Sequence, residues 1–255
     1  MPPQFKGAAE PLSQAGLSEA LNILGVTPAA IWSVIAVETS GCGFLPDRRP
    51  KILFEHHIFH RQTGGHFDAV APDLSNPNSG GYGHSGAPQY DRLNRAIALD
   101  ERAALLSTSW GLGQVMGFNA AAAGFADPRS MVTAMVQSED SHLRAMANFI
   151  RHSGIDDALR NGAWDDFAAA YNGPNYQQNQ YDEKLDQYFR RYSNGPTPNL
   201  TVRAGQMLLM YLGNNPGPID GVLGQATRDA LTRAGAPRSD VVDESILAFL
   251  RAKLT

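Results

Sequence analysis

At 255 residues the chain is long enough to bury one substantial core and a smaller second one, and its 43% hydrophobic and 18% charged content excludes disorder as the main state. A net charge of −4 argues against nucleic-acid binding through a basic patch, and no run approaches the roughly 18 apolar residues of a membrane span. A lone cysteine, Cys42, excludes an intramolecular disulfide and is expected to be a buried, inert thiol in a protein made in a reducing cytoplasm.

The opening M-P-P-Q-F-K-G-A-A-E-P-L has no continuous apolar stretch, so no secretory signal is expected. Leu12 to Gly25 reads as a short amphipathic helix on Leu17, Leu21 and Leu24, stopped by Gly25. A second helix is predicted at about residues 28–39, with Thr27 as N-cap and Pro28 at the first helical position. Ile31, Val34, Ile35 and Glu38 fall at i, i+3, i+4 and i+7 of it, so three apolar side chains and a carboxylic acid share one face. Gly41 and Gly43 supply the stop. At the end of a buried stripe, near the negative end of a helix, a carboxyl has its pKa raised, which suits a general acid. Spacing alone also allows Glu38 to reach solvent at the edge of that face.

Lys51 to Glu55 alternates as a short strand. Residues 62–90 are rich in Gly, Pro, Asn and Ser but also hold aromatics and histidines, which points to a functional loop over a site. Helical periodicity follows over Tyr90–Ser107, Ser130–His152, Ile155–Arg160, Ala163–Tyr171 and Gln177–Tyr192. Strand signals are scarce, so a mainly α domain with at most a small sheet near residues 50–80 is expected. Ser193 to Leu200 has linker chemistry, and three short helices are predicted beyond it, in Thr201–Leu212, Gln225–Ala234 and Asp243–Leu254. The expected division is therefore a catalytic domain at 1–192, a linker at 193–200 and a three-helix domain at 201–255.

Three short motifs occur in order: Glu38-Thr39-Ser40 ending a helix, Ser109-Trp110-Gly111-Leu112-Gly113-Gln114-Val115 forming a Gly-rich turn into a helix, and Ala168-Ala169-Ala170-Tyr171-Asn172-Gly173-Pro174 ending another helix. This order resembles the lysozyme superfamily in its goose-type and lytic transglycosylase branch. The run from about Ala29 to Tyr192, with Lys51-Ile-Leu-Phe-Glu55-His and the Trp110 turn, is similar to the bacterial and phage N-acetylmuramidases found in endolysins. It departs from the transglycosylase pattern at Gly113, where Met is usual, and at Thr39, where Ser is usual.

The resemblance implies a lysozyme-like fold and Glu38 as the acid that protonates the glycosidic oxygen. It implies that Gln114 lines the cleft and that Tyr171 and Asn172 orient Glu38 or the sugar, with Ser40, Trp110 and His56 as further substrate-site residues. Glycoside hydrolysis ordinarily uses a second carboxylate. Glu55 is the first candidate, ahead of Asp68 and Asp73 in the loop. His56 and His60 stand at i, i+4 with His57, His66 and His84 nearby, but there is no H-E-x-x-H and Glu55 precedes the histidines, so no metal and no cofactor is expected.

In the last 55 residues, Val202, Gln206 and Leu209 followed by Asp220-Gly221-Val222-Leu223-Gly224-Gln225-Ala226-Thr227 resemble the small peptidoglycan-binding domain, with Asp220, Gly221, Gly224 and Thr227 marking its D-G-x-x-G-x-x-T turn. The whole implies a monomeric peptidoglycan hydrolase that cuts the β-1,4 bond from N-acetylmuramic acid to N-acetylglucosamine. Its partners would be glycan strands, with neither nucleic acid nor membrane insertion, and a holin would give it access to the wall. A lytic transglycosylase using Glu38 alone, a wall-binding protein without turnover and a secreted antibacterial effector are the alternatives.

Overall fold

The computed structural model describes residues 5–39, 41–173 and 176–254. Helix α1 (Gln14–Leu24) starts at Ser13, whose hydroxyl accepts from the Gly16 N–H, and stops at Gly25 in the left-handed conformation. Helix α2 (Pro28–Thr39) starts at Thr27, whose hydroxyl accepts from the Ala30 N–H at 3.4 Å. Every side chain of α2 from Ala29 to Ile35 is buried, not only the Ile31, Val34 and Ile35 stripe. A helix apolar all round belongs inside a protein, and this one forms the axis of the main core.

After α2 come strand β1 (Ile52–Phe54), α3 (His56–Thr63), α4 (Pro88–Leu99), α5 (Glu101–Leu106), β2 (Thr108–Trp110) and β3 (Val115–Met116). The strands make one antiparallel sheet in the order β1-β2-β3, with Leu53 opposite Ser109 and Ser109 opposite Met116. Two of its strands therefore come from the Gly-rich segment, not from residues 50–80. That segment is a hairpin turn followed by a 3-10 turn at Gly117–Asn119, and it does not lead into an α-helix.

The remaining helices are α6 (Pro128–Met135), α7 (Glu139–His152), α8 (Asp156–Asn161), α9 (Trp164–Asn172), α10 (Tyr181–Asn194), α11 (Leu200–Tyr211), α12 (Gln225–Arg233) and α13 (Glu244–Ala252). The periodic run expected over Ser130–His152 breaks into α6 and α7 because Ser138 takes an extended conformation and caps α7 at Ser141 N–H. Asp100 divides Tyr90–Ser107 in the same way, capping α5 at Ala103 N–H. The 62–90 segment is shorter as a loop than its composition suggested, since α3 ends at Thr63 and α4 begins at Pro88.

Helix α10 lies along α2 and closes the main core. Helices α11 to α13 bury a second core around Leu209, Leu231, Ile246 and Leu250. Between α10 and α11 only residues 195–199 are non-helical. A third cluster, Ala9, Cys42, Phe44, Met207 and Ile219, joins the two cores, and it takes up the Cys42 thiol. Among the described residues no single helix is long and apolar enough to cross a membrane.

Candidate active site

The site is built around the turn from Gly111 to Gln114, because the ends of α2, β1 and α9 all bond to it. The Thr39 hydroxyl lies 3.2 Å from the Leu112 carbonyl, and the Tyr171 hydroxyl donates to the Gly113 carbonyl at 2.6 Å. The Gly111 N–H donates to the Lys51 carbonyl at 2.8 Å, and Lys51 Nζ in turn donates to the Thr39 carbonyl at 2.8 Å. His142 anchors the turn from below. Its Nδ1 accepts from Leu112 N–H and its Nε2 faces the Met135 carbonyl at 2.6 Å, a pattern that requires the neutral ring protonated at Nε2. Burial agrees with this by pushing its pKa down to about 4.

The turn also accounts for one departure from the transglycosylase pattern, Gly113. A Cβ at Gly113 would stand 2.7 Å from the Met146 side chain, so Met146 on α7 occupies the space that a side chain at 113 would need. Thr39 is buried, and its hydroxyl is shared between Leu112 and the Ile35 carbonyl of its own helix.

Glu38 projects from the last turn of α2 and is only partly exposed. Burial of its carboxyl raises the pKa from 4.5 to about 8, and the Asn172 side chain pulls it back part of the way. Asn172 Nδ2 is buried and makes no hydrogen bond of ordinary geometry, which leaves it available to a charged carboxylate or a sugar. Tyr171 and Tyr181 also feel Glu38: burial, and after it the Glu38 charge, pushes both phenols up. Tyr181, at the start of α10, and Lys51 are site residues that sequence reasoning missed. Nothing local distinguishes them, because only the packing of α10 on α2 brings Tyr181 to Glu38, and only the sheet register brings Lys51 to the end of α2 at Thr39.

Glu55 directly follows β1 and stands at the N-cap position of α3, yet its carboxylate caps no backbone N–H. Burial raises its pKa, and Arg61 opposes the rise. Its neighbour is His57, with Nε2 at 3.5 Å, while Tyr82 from the loop feels its charge. His56 is one of the residues that the resemblance assigns to the substrate site. Instead it bonds the Asn78 carbonyl at 2.7 Å and stacks on Tyr82, so it pins the loop while His57 faces the acid. Burial, Arg61 and His56 together lower the His57 pKa, and its Nδ1 is buried without a partner.

The loop itself is held down by Arg92, which donates to the Gly81 and Asp73 carbonyls, and by Gln89, which donates to the Tyr82 and His84 carbonyls. Asp68 is bonded by His60 and Ser75, and Asp73 forms a two-pronged pair with Arg95. Those pairings hold both carboxyls below their ordinary range, the opposite direction to Glu55. They also engage His60 with Asp68, and among the described residues no cluster of three His, Cys, Asp or Glu is placed to hold a metal.

Two expected cleft residues turn inward. Trp110 is wholly buried on β2 with its ring 5.7 Å from Phe5, so it belongs to the core. Gln114 spends its side chain inside the turn: Nε2 donates to the Gly111 carbonyl at 2.7 Å and the Lys51 carbonyl at 3.3 Å, and Oε1 accepts from Ser109 Oγ. Its φ of 47° is unusual for a non-glycine residue, and these bonds hold it there. Ser40 lies outside the described residues.

The D-G-x-x-G-x-x-T turn closes on Gln206 of α11. Gln206 Nε2 reaches Asp220 Oδ1, the Val222 carbonyl and Thr227 Oγ1, while its Oε1 accepts from Gly221 N–H. Gly221 has a φ of 71°, and a Cβ there would meet Asn199 N at 2.5 Å. Gly224 has an extended backbone that any residue adopts and serves as the N-cap of α12.

A family model described as N-acetylmuramidase matches residues 27–193. The structure described as the crystal structure of Burkholderia AP3 phage endolysin is 42% identical, with a TM-score of 0.66 and coverage of 72% of this chain and 71% of that chain. Among curated proteins no match was found.

Proposed function

Because the chain belongs to the N-acetylmuramidase family, a group of lysozyme-type peptidoglycan hydrolases, we propose that Glu38 is the acid with which it cuts the β-1,4 bond between N-acetylmuramic acid and N-acetylglucosamine. The observation that carries this is the Glu38 carboxyl, partly exposed at the end of the central helix and held protonated at neutral pH by a pKa of about 8. A protonated carboxyl there can give its proton to the glycosidic oxygen as the C1–O bond breaks. Asn172 Nδ2 would donate a hydrogen bond to the carboxylate left on Glu38. Glu55 serves as the second carboxylate, stabilising the oxocarbenium-like sugar or activating the attacking water, with Arg61 favouring its charged form.

The three-helix unit at 200–254 would hold the enzyme on the wall, a reading supported by its D-G-x-x-G-x-x-T turn. Its likeness to a phage endolysin supports action on the cell wall, to which a holin would admit it. The test is mass spectrometry of products from purified peptidoglycan. Wild type should release reducing N-acetylmuramic acid ends and Glu38→Gln should release none, whereas anhydro-muramic ends would make it a transglycosylase.

A further inference from the structure

Arg203 lies on α11, in the C-terminal unit, yet it is fully buried and its guanidinium is inserted into the main domain. Nε and Nη2 both donate to the carbonyl of Gly41, 162 positions earlier in the chain. Nη1 and Nη2 fork onto the two oxygens of Glu139 at 2.5 and 2.8 Å. Glu139 stands at the first position of α7 and is itself fully buried. Its Oε1 accepts from the Gly43 N–H at 2.8 Å and its Oε2 from the Leu12 N–H at 2.9 Å.

Every polar atom of this cluster is therefore engaged, and two of the engaged groups, the Gly41 carbonyl and the Gly43 N–H, lie just past the end of α2, three and five residues beyond Glu38. The C-terminal unit grips the same stretch a second time. Gly41 has a φ of 86°, and a Cβ on it would stand 2.6 Å from the Ile219 carbonyl, so the two backbones touch there. Cys42 and Phe44 pack against Met207 and Ile219.

We propose that Arg203 is a positioning residue for the catalytic acid, and that through it the C-terminal unit forms a fixed part of the active-site scaffold, not a tethered module. The proposal rests on the reading of Glu38 as the acid. Swinging the unit away would leave Glu139 buried without its counter-charge and strip the Gly41 carbonyl of its donors, so the docked arrangement is strongly favoured. The effect on Glu38 is transmitted by the backbone: burial and Asn172 account for the shift in its acidity, and Arg203 contributes nothing to it directly. An arginine suits the task because its planar fork serves a carboxylate and a carbonyl at once, which a lysine cannot reproduce fully.

The test uses the full-length protein with the paired substitution Arg203→Met/Glu139→Gln, which removes both charges together, and with Arg203→Lys. Two quantities are read: amide hydrogen exchange of the peptide covering residues 39–45, and kcat against KM on a soluble glycan oligomer. In the folded paired variant, exchange at 39–45 should quicken and kcat should fall about 10- to 100-fold, the scale of a displacement of about 1 Å, at unchanged KM. Arg203→Lys should recover part of both. Unchanged exchange at 39–45 in the folded variant overturns the proposal, and so does a loss confined to KM. If Glu38→Gln retained full activity, the reading of the acid would fail, and hydrogen exchange alone would still decide whether Arg203 holds the turn.

Discussion

The amide of Asn172, at the end of α9, sits against the carboxyl of Glu38, at the end of α2, and lowers a pKa that burial drives up to about 8. The two opposing effects place the acid close to neutrality. Asn172→Ala removes the lowering contribution, so the Glu38 pKa should rise further. The alkaline limb of the pH–rate profile should then move to higher pH. A limb that stays in place or moves down would show that Asn172 does not act on Glu38.

The same shift has a consequence for stability. A carboxyl whose folded pKa lies above its unfolded value binds its proton more tightly when folded, so stability is lost as pH rises from about 4.5 to about 8. The penalty above that range is on the order of a few kcal/mol. Glu38→Gln carries no such penalty. Thermal melts of variant and wild type should coincide near pH 4, and the variant should melt several degrees higher at pH 9. Coincident melts at pH 9 would mean that the carboxyl is better solvated than its place in the fold implies.

Glu55→Gln is expected to lower kcat by about 10²-fold or more, the range for loss of a positioned acid–base group. Asp68→Asn and Asp73→Asn should leave kcat nearly intact, because those carboxylates are engaged with His60, Ser75 and Arg95. Comparing the three variants on one peptidoglycan preparation identifies the second carboxylate. Equal rates for Glu55→Gln and wild type would remove Glu55 from the mechanism.

Gln114 makes its contacts within the turn, and that arrangement separates two roles. As the brace of the turn, Gln114→Ala should lose roughly 1 kcal/mol of stability for each hydrogen bond removed, with a lower melting temperature and a lower kcat at unchanged KM. A residue that served only to bind sugar would raise KM and leave the melting temperature where it was.

Much of the site could be read from the sequence because it depends on short-range rules. Thr27-Pro28 starts α2, the 3.6 period sets Glu38 at the end of a buried stripe, and a carboxyl in that place must have its acidity weakened. The run from Lys51 to Glu55 announced a strand ending in an acid. Which way a side chain faces is not legible there, since this depends on partners far away in the chain. The family resemblance implies that Trp110 and Gln114 line the cleft, yet Trp110 enters the core beside Phe5 and Gln114 folds back on Lys51. His56 and His57 are equivalent as neighbours in sequence, and only the docking of α3 under the loop turns His57 toward Glu55. Arg203 would pass for a solvated helix residue. Its burial is decided by Glu139 and Gly41, because a guanidinium enters a protein interior only where a carboxylate and a carbonyl already wait for it.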